Sequence, residues 1–428
     1  MNNQKKIALI IRHGGDKNRI DYIKSTLVSD IVDIFIIQEC FNNPDFSKSY
    51  IYNNHLYLSV NFLDQENLKF FKKCGWQCGD YILYAARKFF PDYDFYWLID
   101  DDLVFNCNFD DFIYETNKFD EDLISYSFSE RDFTWDWTKS LNGYRKYKIY
   151  GMLYCILRMS AKAIDFLKKS RVEYNLEFDL NSRKNLNEYA NDEVFTATLL
   201  KNNNYSIIDI CKIVPELFDM HFTLTRPILI DELNFPYLKN KILHPVCSIE
   251  RSREKVKKRL INKEYSSLID RFYEVYSFLG AEACLDYFGV DVKMVFQDYF
   301  GENEILNLHT LNFALKNNLK SSYVKKIWFY RLHIMVVECD FNKIKFGLDI
   351  NCVGQISISP RNIRSKKVLD IIISSNSKNS TLYKNKTFRH DSLTVLNEIT
   401  YYSSFSEKVK YLLTFLDNYS RILIDLEL

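Results

Sequence analysis

The chain has 428 residues and a formal net charge of +1, with 47% of its residues apolar and 16% aromatic. Length and composition exclude wholesale disorder and argue for two domains, since single hydrophobic cores stop growing below this size. Near neutrality excludes a global field that would draw nucleic acid, so no nucleic-acid partner is expected.

The first apolar run, Ile7 to Ile11, is too short for a signal peptide or a membrane span, and no other stretch reaches spanning length. A cytoplasmic location is expected, with peripheral attachment at the inner face of the membrane left open. The ten cysteines are scattered, many inside apolar runs such as Leu153 to Leu157, which suits reduced, buried thiols. Cys74 and Cys78 form one close pair, and no second pair completes a zinc site.

Taken in chain order, Lys6 to Arg12 predicts a first strand, Gly14-Gly15 a turn, and Asn18 to Val28 a helix with Ile20, Ile23 and Leu27 on one face. Val32 to Gln38 and His55 to Phe62 predict further strands. Gly79-Asp80 opens a helix, with the Asp80 carboxylate capping free backbone N–H groups, and the helix stops before Pro91. Phe95 to Ile99 is a wholly apolar strand that ends in Asp100, Asp101 and Asp102. Ile149 to Arg158 predicts a buried strand, Ser160 to Lys169 a helix, and Val172 to Asn187 a loop. Asn191-Asp192-Glu193 starts a helix to Leu200, and Tyr205 to Ile210 is another strand.

This alternation predicts an α/β domain over 1–250, a Rossmann-like, mostly parallel sheet flanked by helices. Between Arg251 and Glu264 stand seven basic residues, taken as the junction to a second, α+β domain over 251–428. That domain reads as helical to about residue 320 and strand-rich afterwards, with a last amphipathic helix at Glu407 to Leu416. The basic run reads as a solvated helix face, as cover for a diphosphate, or as a contact for anionic lipid.

The acidic triplet is the clearest chemical signal. Ligands of open α/β sheets bind beyond the carboxyl ends of the strands, where these acids stand. Crowded carboxylates between apolar walls repel one another unless a cation joins them. A hard divalent cation, Mn2+ or Mg2+, bridges the phosphates of a nucleotide and takes one or two carboxylates from the protein. Asp100 and Asp102, one residue apart, supply those ligands; Asp101 points elsewhere and could reach a ribose. The alternative is a solvated acidic turn.

Tyr93 to Asp102 resembles the strand and Asp-X-Asp motif of glycosyltransferases with the GT-A fold, and the resemblance extends in element order over about residues 5 to 250. It implies a nucleotide-diphosphate sugar as donor and a glycan or glycolipid acceptor, as in surface polysaccharide or lipooligosaccharide synthesis. In that family the first strand and its loop help to bind the nucleotide; Arg12 to Arg19 occupy this position, and Arg12, Asp80 and Asp101 are the candidate nucleotide contacts. A late histidine often completes the metal site, which His244 matches in Leu243-His244-Pro245, with His221 as the other candidate. Inverting members use a carboxylate at a helix start as general base, and Asp192, ahead of Glu193, fits. A retaining enzyme would need no such base.

Ser129 to Trp137 is rich in residues that bind carbohydrate. Arg131, Trp135 and Trp137 are candidate acceptor contacts, the two tryptophans sharing one face of a strand unless they belong to the core. A nucleotidyltransferase and a non-catalytic carbohydrate-binding protein with a structural metal remain as alternatives. Gly14-Gly15 alone makes a poor phosphate loop for the former.

Overall fold

A computed structural model of the chain describes residues 5–14, 17–43, 46–132, 135–144, 147–177, 189–224, 226–262 and 265–300, residue 308, and six strands between 324 and 395. The chain divides into two compact units, one comprising 1–224 and 228–247, the other 225–227 and 248–428. The division at Cys247 lies just ahead of the basic run.

In the first unit, β1 (Ile7–His13) is followed by α1 (Lys17–Thr26), β2 (Asp33–Glu39), β3 (Tyr50–Tyr52), β4 (His55–Leu58), α2 (Val60–Gln65) and α3 (Cys74–Gln77). Next come α4 (Asp80–Phe89), β5 (Phe95–Asp100), β6 (Val104–Asn106), α5 (Phe109–Asn117), β7 (Leu123–Glu130), β8 (Tyr150–Ser160) and α6 (Ala161–Glu177). The unit ends with α7 (Asp192–Asn202), β9 (Ile207–Asp209), β10 (Ile228–Leu229), β11 (Lys241–Leu243) and β12 (Val246–Cys247).

Eight strands form one sheet in the order β3-β4-β2-β1-β5-β8-β7-β9. The stretch β4-β2-β1-β5 is parallel throughout, as in half of a dinucleotide-binding sheet. The sheet as a whole is mixed, where a mostly parallel one was expected: β8 runs antiparallel to both β5 and β7. Its direction follows from the connection, since β7 and β8 pair as a long hairpin that fills the place beside β5.

Both faces are covered, which is why β1 and β5 read as unbroken apolar runs instead of alternating ones. Ala8, Ile10, Tyr96 and Leu98 pack with α4, α6 and α7, whereas Leu9, Ile11, Trp97 and Ile99 pack with α1 and α5. Helix α4 is buried from Asp80 through Ala86, between the sheet and α6.

Several local expectations need correction. The strand expected over His55 to Phe62 stops at Leu58, and Ser59 precedes α2. Helix α6 continues to Glu177 because Arg171 and Tyr174 bury their side chains; residues 178–188 of the expected loop lie outside the described residues. Trp135 and Trp137 do not share a strand face. The chain turns through Trp135 N–H to the Asp132 carbonyl (3.3 Å) into a 3-10 helix over Asp136–Tyr144. Helix α5, capped by Asn108 with Phe109, Phe112, Ile113 and Thr116 inward, shows helical spacing that the sequence reading did not use.

The second unit holds α8 (Ile249–Ile261), α9 (Tyr265–Phe288, interrupted at Gly280) and α10 (Val292–Phe300). The basic run from Arg251 to Arg259 lies on α8, which buries Ser252 and Val256. An antiparallel sheet follows, ordered β13-β14-β15-β16-β18-β17, from β13 (Val324–Arg331), β14 (Ile334–Phe341), β15 (Ile344–Asn351), β16 (Ile356–Pro360), β17 (Leu382–Asn385) and β18 (Ser392–Val395). The expected helix at Glu407 to Leu416 lies outside the described residues. Among the described residues no helix is long and apolar enough to cross a membrane.

Candidate metal centre and its surroundings

Parallel pairing brings the carboxyl ends of β1, β2 and β5 together, with Arg12 opposite Asp100 and Ile37 opposite Arg12 in register. After Asp100 the chain makes a tight turn, the Leu103 N–H reaching back to the Asp100 carbonyl (3.1 Å). It then enters β6, which pairs with β11 so that Val104 faces Leu243. One residue beyond Leu243 stands His244, and two residues before Val104 stands Asp102. The Val246 N–H to the Asp102 carbonyl (2.7 Å) fastens the two segments.

The result is a triad. Donor atoms of Asp100, Asp102 and His244 lie within 4.8 Å of one another. His244 Nδ1 donates to the Thr223 carbonyl (2.6 Å), which orients the ring and sets Nε2 3.2 Å from Asp102 Oδ1. Asp100 Oδ1 is buried without a hydrogen-bond partner. Burial pushes the Asp100 carboxyl up, and Asp102 adds to that, against the pull of Arg12. Burial disfavours a charged His244, but its hydrogen bond to Asp102 and the two aspartate charges outweigh it and raise its pKa. Two carboxylates and one oriented imidazole form a donor set that suits a divalent cation. His221 stays apart, its Nδ1 on Asp219 (2.8 Å).

Asp101 turns the other way. Its Oδ2 takes His13 Nδ1 (2.8 Å) and the Gly14 N–H (3.3 Å), and its carbonyl takes Arg19 Nε (2.9 Å), so it secures the loop after β1. Arg12 spans the floor of the site. Its Nε meets Glu39 (3.0 Å), another nitrogen donates to the Gly75 carbonyl, and Nη1 lies 3.6 Å from Asp100. Burial works against its charge, yet Glu39, Asp100 and Asp192 together hold it protonated.

Asp80 neither caps α4 nor faces the site. Gly79 is the N-cap residue, and the Asp80 carboxylate is enclosed, taking Arg171 Nε and the Tyr84 hydroxyl, each at 2.8 Å. A carboxylate that is fully enclosed and joined to a guanidinium is out of a nucleotide's reach, which corrects the contact expected of Asp80. The cap of α4 comes from far away: the Gly79 N–H donates to Asp192 Oδ2 (2.7 Å).

Asp192 is 3% exposed and also takes the N–H of Glu193 (2.8 Å). Burial pushes its carboxyl well above the usual range, Arg12 opposing and Glu193 and Asp80 adding. Glu193 differs. It is only partly buried; burial sets its pKa at about 7, with Asn191, Arg131 and the Tyr154 backbone pulling down and Asp100 pushing up. Asn191 caps α7 through the Val194 N–H (3.1 Å), which fixes both acids. Arg131 lies over the ring of Trp135 (5.2 Å), and Trp137 packs against Trp76 (5.9 Å).

Sequence reading missed Glu39, His13 and Thr223. The first two follow apolar runs at strand ends, the same signal that marks Asp100; Thr223 meets His244 through its main chain, its N–H on the His244 carbonyl (2.8 Å) and its carbonyl on Nδ1 (2.6 Å), which no side chain announces. No family model matches the chain, and no curated protein sequence matches it.

Proposed function

We propose that this protein is a metal-dependent glycosyltransferase that moves a sugar from a nucleotide-diphosphate donor to a glycan acceptor with inversion, its first unit being a GT-A domain. The triad of Asp100, Asp102 and His244 at the carboxyl ends of parallel strands carries this reading. Mn2+ or Mg2+ held there would offset charge on the departing diphosphate. Asp100 and Asp102 would serve as ligands and His244 would contribute Nε2, its ring aimed by the Nδ1 bond to the Thr223 carbonyl; a cation there would take the place of the proton that the two aspartates favour on that ring. Arg12 holds Asp100 from behind, and the Asp101–His13–Arg19 contacts shape the loop beside the nucleotide.

Glu193 is the better general base. A base must reach the acceptor hydroxyl and hold a proton near neutral pH, and Glu193 has both partial exposure and a pKa of about 7. Asp192, enclosed and engaged by the Gly79 N–H, sets the start of α7 and thereby the direction of Glu193.

The test is a thermal-shift screen of nucleotide-diphosphate sugars with and without Mn2+, followed by turnover of whichever donor binds. Stabilisation by one donor only in the presence of metal, lost in Asp102→Asn, is expected. Nucleotide-sugar turnover undiminished in excess chelator would remove the metal mechanism. Donor binding with no transfer to any glycan would favour a non-catalytic sugar-binding protein.

A further inference from the structure

Near Glu193 stands Arg131, whose guanidinium forms no ion pair within 4 Å among the described residues. The Arg131 N–H donates to the Ile149 carbonyl (2.8 Å), so its backbone is pinned at the end of β7. Its side chain lies over Trp135, its Nη2 makes one long hydrogen bond to the Ser127 carbonyl (3.3 Å), and its Nε is buried without a partner. The neighbouring Glu130 pairs with Lys148 instead (3.4 Å). Among the described residues no carboxylate forms an ion pair with Arg131, although its charge is felt at Glu193. A partly buried guanidinium is ordinarily joined to an anion, and the face of an indole is a weak substitute.

The surrounding backbone is built to hold this arrangement. Gly151 of β8 faces Ser129 of β7, and a Cβ there would stand 2.5 Å from the Trp135 ring and 2.9 Å from Arg131 Nε. Only a bare backbone lets both side chains cover the strand. Ser127 sits at φ +61° in an irregular stretch of β7, a conformation that a serine adopts at a cost, and the same stretch supplies the carbonyl that Arg131 uses. Beyond it, the Trp137–Trp76 pair extends the wall outward, with Trp76 65% exposed.

We propose that the acceptor is an anionic sugar whose carboxylate or phosphate is taken by Arg131 while its ring lies against the Trp76–Trp137 pair. This rests on the reading of the Glu193 side as the acceptor side. A guanidinium fork receives either oxyanion through two parallel hydrogen bonds, and aromatic faces stack on pyranose rings.

The experiment is calorimetric titration of the full chain with glucuronate, glucose 6-phosphate and glucose. At least one anionic sugar should bind about tenfold tighter than glucose, and the tighter of the two identifies the oxyanion. Arg131→Gln should bring the anionic sugars down to the level of glucose, and Arg131→Lys, which keeps the charge, should retain part of the preference. No measurable binding of either anionic sugar, no preference over glucose, or a preference that survives Arg131→Gln each overturns the proposal. Metal-dependent donor binding, measured in parallel on the wild type and Asp102→Asn, separates the two readings. Its absence beside an Arg131-dependent preference removes the transferase and leaves the anionic sugar site; the reverse pattern removes only this proposal.

Discussion

Two sets of carboxylates, at the start of α4 and at the end of β5, both lie in the first unit and are held oppositely. Asp80 has Arg171 Nε at 2.8 Å, with that guanidinium also stacked on Phe195 (3.6 Å) and bound to the Ala190 carbonyl (2.8 Å). Asp100 has its nearest cation at 3.6 Å and a second carboxylate, Asp102, beside it. Each leaves its Oδ1 without a hydrogen bond, so an orphaned oxygen does not by itself mark a ligand site. The neighbours do. Where a fixed cation faces the carboxylate, burial serves the fold; where like charge and an oriented imidazole face it, the arrangement suits an added cation.

The comparison breaks most visibly at Asp80. Asp80→Asn leaves Arg171 buried and unpaired and should cost about 3–5 kcal/mol in urea unfolding. Replacing both, as Asp80→Leu with Arg171→Met, should recover much of that loss; no recovery would mean that the pair does more than neutralise itself. Asp100→Asn and Asp102→Asn should do the reverse. Without metal their melting temperatures should match or exceed the wild type, because repulsion is relieved, while stabilisation by Mn2+ disappears. A large loss of metal-free stability would class these acids with Asp80.

Glu193 sharpens the contrast, since its charge costs the fold and, as the proposed general base, would serve the reaction. Its carboxyl is raised from 4.5 to about 7, so the ionised form destabilises the protein increasingly as pH rises between those values. Glu193→Gln should therefore raise the melting temperature at pH 8, by up to roughly 3 kcal/mol of stability, and leave it unchanged near pH 4. Turnover should fall by a factor on the order of a hundred to ten thousand. Wild-type activity should climb with pH through an apparent pKa at or below about 7, since a bound cation favours the ionised form. Equal activity in Glu193→Gln would return the role to Asp192. The smallest effect is expected at His244. His244→Ala should weaken Mn2+ binding by about ten- to a hundredfold and leave donor binding weakened in proportion.

The clustering of Asp100 and Asp102 was legible in sequence because its signal is local, an apolar strand that ends in three acids; His244 was reached only through the resemblance, and the structure brings it to them. The order of Asp192 and Glu193 was not legible. Both stand in a first helical turn, and which one turns inward is decided by the Gly79 N–H, 113 positions away. Asp80 misled for the same reason, since a helix-start acid reads as a cap until Arg171 is brought to it by α6. The antiparallel β8 is invisible to periodicity, because a strand buried on both faces shows the same apolar run in either direction. Trp135 and Trp137 keep their alternate spacing in a 3-10 turn, so spacing alone assigned them to a strand.

Gly79 has a consequence for how this sequence can change over time. A single added methyl carbon there would stand 2.6 Å from the Asp192 carboxylate and 2.7 Å from Arg12 Nη1. Moving either aside would disturb the Gly79–Asp192 bond at the start of α4 or the approach of Arg12 to Asp100. Position 79 therefore favours glycine for want of space and not for its backbone angles, which are ordinary helical ones.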